Sequence, residues 1–191
     1  MEVGTTASHL SVMRDPSKPL NTSHEYQFSV LEVPTGNHVF SMSTGTPFSI
    51  PVTFPDSADA SHIRILDFNN KAIYSTSFPA DGSWTNLAIQ VDWNALTLAA
   101  FVSQGALPLK AVIGLLPREG VPSGTARQRE FHLGVLKYPI ADPKDGANAS
   151  NTPRFGIQEG STDGLFFSGV FVEDATTGIS AGFDKALPMI T

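Results

Sequence analysis

The chain has 191 residues, with 12 Lys+Arg against 18 Asp+Glu, a formal charge of −6 and a charged fraction of 16%, well below the roughly 25% of an average globular protein. Nineteen Ser and sixteen Thr fill the gap, with 16 Gly and 14 Pro. This mixture excludes a coiled coil, a helical bundle and a nucleic-acid binder that works by bulk positive charge.

Residues 1–24 read as a flexible N-terminal arm: polar, with Pro16 and Pro19 and no sustained periodicity. The arm holds one apolar cluster, Leu10, Val12 and Met13, expected to dock on a neighbouring subunit or another partner protein, with a tail folding back on its own domain as the alternative. Residues 25–191 read as a single domain, long enough to bury a core without a metal or disulfide staple. Its first strand carries Tyr26, Phe28 and Val30 at period two, closed by the turn Pro34-Thr35-Gly36-Asn37. Phe48, Ile50, Val52 and Phe54 alternate most cleanly, and Pro51 makes that run an edge strand or one whose N–H side at Pro51 faces outward. His62–Phe68 and Lys71–Phe78, joined at Asn69-Asn70, read as a hairpin, because Asn tolerates the positive φ of a tight turn.

A short strand is expected over Leu87–Val91. Residues 92–105 then read as the one good helix, with Asp92 as cap, Trp93, Leu96 and Ala100 on one face and Gly105 at the end. Leu107–Leu116 suits a strand buried on both faces, and 117–124 a loop. Phe131–Tyr138 is another strand, 139–153 a long polar loop, Leu165–Glu173 a strong strand and Ile179–Phe183 a weaker one. The expectation is an all-β fold, an antiparallel β-sandwich or jelly roll with one short helix.

Cysteine is absent, which removes disulfides and thiolate zinc sites and leans toward a reducing compartment. The first sixteen residues lack a basic and an apolar region, so no signal peptide is expected. The most apolar stretch, Trp93–Pro117, is interrupted by Gln104, Pro108 and Lys110 and falls short of a membrane span.

No Walker A run, GxGxxG, HExxH or elbow GxSxG occurs. His9, His24, His38, His62 and His132 are scattered without ligand-like spacing, and Asp142–Gly146 lacks the third acidic position and the closing Glu of a calcium loop. No cofactor, metal or catalytic residue is therefore assigned. Eighteen carboxylates permit a glycosidase pair, but sequence alone does not select two. Arg118, Arg127 and Arg129 form a cluster suited to a phosphate or carboxylate, or to a subunit contact. Glu119 and Glu130 beside them offer local ion pairing instead. Trp84, in the turn Asp81-Gly82-Ser83-Trp84, is a candidate recognition residue, and Trp93 reads as core.

The order Trp93–Gly105, then Leu109–Pro117, then Arg118–Gly124 resembles the small jelly-roll coat proteins of icosahedral viruses, in which a short helix leads to a buried strand ending at proline and a long loop. The resemblance covers about 32 residues. It implies a non-enzymatic structural protein of a virus or phage particle, a coat, protruding or decoration protein. Its partners would be itself and other particle proteins, and its location the virion, or the cytoplasm before assembly. The basic arm of many such coats is missing, so direct RNA binding is not expected. The alternative is a β-sandwich recognition module that binds glycan or a protein receptor through Asp81–Trp84 and Ala141–Arg154. An enzyme ranks third.

Overall fold

A computed structural model describes residues 3–47, 59–118, 120–121, 129–182 and 185–190. Among them the strands in chain order are β1 (Thr5–Arg14), β2 (Glu25–Glu32), β3 (His38–Gly45), β4 (His62–Asp67), β5 (Ala72–Ser77), β6 (Thr85–Asp92), β7 (Thr97–Gln104), β8 (Lys110–Pro117), β9 (Glu130–Lys137), β10 (Leu165–Asp174), β11 (Ile179–Gly182) and β12 (Lys185–Leu187). A 3₁₀ turn at Pro143–Asn148 and the one-turn helix α1 (Thr152–Phe155) are the described helical pieces. The fold class is the expected one: all-β, antiparallel, a jelly-roll-like β-sandwich. The run at 48–54 lies outside the described residues.

The chain divides into two compact units, each assembled from separated segments. The first comprises 1–19, 79–129 and 164–191. Its five-stranded sheet has the order β10-β1-β6-β7-β8, and β11 and β12 form a hairpin. Here the arm reading is corrected for residues 5–14: β1 is an inner strand, paired with β10 on one side and β6 on the other. Ala7, Leu10 and Val12 are buried. The strand is hidden in the sequence because its alternate positions are Thr, Ser and His, which mask a two-residue period.

The helix at 92–105 is also corrected. Asp92 ends β6, residues 93–96 turn, and β7 runs back in continuous register from Asp92↔Thr97 to Thr85↔Gln104. Asp92 caps, but it closes a turn: its Oδ1 accepts from the amides of Asn94 and Ala95, each at 2.8 Å. Leu96 takes the positive φ of 56° that the tight return needs. The run Leu98–Val102 is buried at every position, which suits an inner strand covered on both faces. Leu107–Leu116 was expected to be such a strand. Instead β8 begins at Lys110, is the sheet's edge and is largely exposed.

Residues in register share a face. Ala7, Ala88, Ala99 and Phe101 thus form one face of this sheet, and Ala175, Ile179 and Ala181 pack on it. Three alanines leave the depth that a second layer needs. Gln90 anchors the C-terminal segment there, donating to the Ile190 carbonyl at 2.9 Å and accepting its amide at 3.1 Å.

The second unit comprises 20–78 and 130–163, with a sheet ordered β5-β4-β3-β2-β9. The Asn69-Asn70 hairpin joins β4 and β5 as expected, with Asn70 at φ 57°. The Pro34–Asn37 turn joins β2 and β3, closed by the Val33 amide on the Asn37 carbonyl at 2.8 Å. Successive rows differ sharply. One face carries Tyr26, Phe40, Met42, Ile63 and Ile65, all buried. The other carries the row Gln27, Ser43, Arg64 and Ser75, and beside it Ser41 and His132.

Candidate active site

The polar face of the second unit's sheet brings together the groups that chemistry would use. At one end Glu25 and Arg64 form an ion pair, Oε1 to Nη2, at 3.5 Å, with side chains 10% and 1% exposed. At the other end Glu32 is in register with His38 on one side and Glu130 on the other. Such partners project from the same face. His132, two residues along β9, places its Nε2 at 3.5 Å from both Glu32 Oε2 and Glu130 Oε2. The two carboxylate oxygens are therefore at most 7 Å apart.

Glu32, His38 and His132 line part of a cavity of about 410 Å³ bounded by β2, His38 and β9, within the roughly 300–1,000 Å³ of small-molecule sites. Tyr138 donates to Gln27 Oε1 at 3.2 Å, which turns the Gln27 amide nitrogen toward His38 Nδ1 at 3.4 Å. Burial pushes the His38 imidazole below its ordinary value; Glu32 opposes this and His132 adds to it. A neutral His38 that accepts at Nδ1 must carry its proton on Nε2. Burial, reinforced by the Glu25 charge, pushes the Tyr138 phenol up, so it stays a protonated donor.

The residues singled out from sequence lie elsewhere. Arg118 and Arg129 belong to the first unit, where both stack over Trp93, at 5.0 and 5.1 Å from the ring centroid. Their convergence is on an indole. Arg127 lies outside the described residues. Trp84 precedes β6, half-buried, its carbonyl accepting from the Gly105 amide at 2.7 Å. Glu32, His38, Glu130 and His132 were missed, and the histidines were set aside as scattered. The available signal was polar pairs two residues apart (Glu25/Gln27, Ser41/Ser43, His62/Arg64, Glu130/His132), each on a strand whose intervening residues are mostly apolar. Among the described residues no group of three His, Asp or Glu side chains could hold a metal ion, and no helix is long and apolar enough to cross a membrane.

The family model "Glycoside hydrolase 131 catalytic N-terminal domain" matches residues 1–178, and the chain belongs to that family. Two solved structures share the fold. The catalytic domain of the glycoside hydrolase family 131 protein from Coprinopsis cinerea aligns with TM-score 0.64 and 21% identity over 94% of this chain and 59% of that one. A GH131 β-glucanase catalytic domain from Podospora anserina aligns with TM-score 0.65 and 22% identity over 94% and 61%. The chain thus spans about three-fifths of the length of those domains. No curated protein matches the sequence directly.

These findings overturn the reading as a non-enzymatic coat, protruding or decoration protein, and with it the virion location. Membership of a glycoside hydrolase family replaces it, and replaces the recognition module as well. The resemblance to viral coats rested on a helix at 93–105, and that segment is a β-turn and a strand.

Proposed function

We propose that the chain hydrolyses glycosidic bonds of a β-glucan on the polar face of the second unit, with Glu32 and Glu130 as the carboxyl pair. The observation that carries the assignment is their joint placement 3.5 Å from the same nitrogen of His132, beside a cavity that also holds His38. Family membership and the Podospora anserina β-glucanase support the substrate class.

Glycoside hydrolysis needs one carboxylic acid to protonate the departing oxygen. A second, ionised carboxyl either attacks the anomeric carbon or takes a proton from the water that does. Glu32, with a side chain 37% exposed against 78% for Glu130, sits deeper and is assigned the acid on the leaving-group side. Glu130, nearer the solvent, is assigned the second carboxyl. Spacings near 5–5.5 Å retain and about 6.5–9.5 Å invert the anomeric configuration, and the 7 Å ceiling spans both. His132 spaces the two carboxyls. His38, neutral with Nε2–H outward, is a donor for a sugar hydroxyl.

The test is release of reducing sugar from β-glucans of several linkages by the purified chain, its Glu32→Gln and Glu130→Gln variants, and Glu25→Gln as a comparison. Each of the first two substitutions is expected to lower kcat by about 10²–10⁴-fold, with the melting temperature held. Glu25→Gln should lower it far less. Inactivity of the folded parent on every glucan, or variants at the parent's rate, would overturn the assignment.

A further inference from the structure

The first unit holds a second cavity, of about 220 Å³, over its own sheet. That is smaller than the roughly 300–1,000 Å³ of drug-sized sites, so it suits one small ring rather than a chain of them. Its apolar side is made by Leu107, Leu109, Phe171 and Ala181. Leu107 and Phe171 are 58% and 45% exposed, so this side is open to a ligand. Phe171 is held in place by His9, whose ring stacks on it at 4.2 Å and 6°.

The polar side is braced by Asn86. Its Oδ1 accepts from Ser11 Oγ at 2.7 Å, and its Nδ2 donates to Ser103 Oγ and to the Gly105 carbonyl, each at 3.0 Å. The Gly105 carbonyl can only accept, which fixes the amide orientation. Both Asn86 N–H donors are thereby used. The Ser11 hydroxyl, which spends its proton on Asn86, retains lone pairs to accept. The Ser103 hydroxyl, which accepts from Asn86, retains its proton to donate. Donor and acceptor thus sit side by side, opposite an apolar wall.

Charge narrows the ligand. Neither Lys nor Arg lines the cavity, so a phosphate or carboxylate has no counter-ion there. Glu173, next to it, is spent: Oε1 accepts from His9 Nε2 at 2.8 Å and from the Ser180 amide at 2.7 Å, and Oε2 from the Ser180 hydroxyl at 2.7 Å. No Asp or Glu lines the cavity itself, so a cation has no carboxylate in its wall. A wholly apolar ligand would leave the Ser103 donor unmatched at a cost of about 1–3 kcal/mol. A neutral ring with C–H groups on one side and hydroxyls on its rim satisfies every wall.

We propose that this cavity is a non-catalytic binding site for one neutral pyranose unit of a glycan. It is built from the first unit alone and does not depend on the carboxyl pair assigned above. Aromatic C–H contact would come from Phe171, hydroxyl pairing from Ser103 and Ser11.

The experiment is amide NMR titration of the whole chain with glucose, galactose, mannose and cellobiose to tens of millimolar, repeated on Phe171→Ala and Ser103→Ala. At least one sugar should shift the amides of Ser103, Gly105, Leu107 and Ser180 in a saturable way. Both substitutions should weaken that binding at least five-fold while the spectrum stays folded. No saturable shift with any of the four sugars overturns the proposal. So do shifts confined to Gln27, Glu32 and His132, which would report the proposed catalytic face alone, and so does unchanged affinity in both variants.

Discussion

Arg118 lays its guanidinium over the indole of Trp93, 5.0 Å from the ring centroid, while its Nη2 donates to the Asp92 carbonyl at 3.1 Å. One side chain thereby ties the exit of β8 to the β6–β7 turn. The indole is tied from its other end by Nε1 donating to Thr6 Oγ1 at 2.8 Å. Trp93 is half-buried, so its truncation forfeits a cation–π contact and a hydrogen bond rather than a full core site. Trp93→Ala should cost about 2–3 kcal/mol by urea unfolding, and Arg118→Met about 1–2 kcal/mol. A cost above 4 kcal/mol for Trp93→Ala would place the ring in the core after all.

Because β1 pairs on both sides, its removal opens the sheet between β10 and β6. Deleting residues 1–14 should leave a chain without a cooperative unfolding transition. The milder Leu10→Ala should lower stability by about 2–4 kcal/mol, as truncation at a site 2% exposed does. A deletion variant that melts like the parent would show that the sheet closes without β1.

Acid should destabilise the first unit through His9 and Glu173. Burial lowers the His9 pKa despite the opposing hydrogen bond and charge of Glu173. At neutral pH the imidazole is therefore an uncharged donor to the carboxylate. For Glu173, burial alone would raise the pKa, and the Ser180 hydroxyl and amide, with His9, outweigh it to a net lowering. Both groups bind a proton more readily unfolded than folded, so each contributes stability that is complete above its unfolded value and lost as pH falls through its folded one. The melting temperature should fall from pH 7 toward pH 4, beginning with the histidine. His9→Gln should flatten the upper part of that slope; an unchanged slope would remove His9 from the account.

In the second unit Lys137 Nζ lies 2.7 Å from Asp163 Oδ2, with side chains 13% and 11% exposed. Tyr26 donates to the same oxygen at 3.1 Å. Removing the anion strands a cation and a phenol together, so Asp163→Ala should cost about 3 kcal/mol or more. The double variant Lys137→Met/Asp163→Ala should recover part of that loss, and a double variant no more stable than Asp163→Ala would deny the coupling.

Gly45 sits at φ +86°, and a Cβ there would overlap the His24 carbonyl oxygen. Gly45→Ala is expected to destabilise by more than about 2 kcal/mol, since both the backbone conformation and the space favour glycine. A melting temperature within a degree or two of the parent's would show that the loop before β2 yields.

Local chemistry in the sequence determined the fold class. The Asn69-Asn70 and Pro34–Asn37 turns and the β-rich run from Tyr26 each act over a few residues, so they are legible without a fold, whereas the bulge between Gln27 and Ser29, which puts Val30 on the face opposite Tyr26, is not. Tertiary structure alone decided the rest. Trp93, Leu96 and Ala100 fit a helical face as well as they fit a turn and a strand, and pairing of β7 against β6 along its whole length settles the matter. Thr5–Arg14 looks polar, and it is ordered by partners far away in sequence, at 85–92 and 165–174. The candidate carboxyl pair depends most on this. Glu32 and Glu130 are 98 positions apart, and only the antiparallel register of β2 with β9 brings them beside the same imidazole. A two-residue period assigns a side chain to a face, but sheet register decides which other side chains share it.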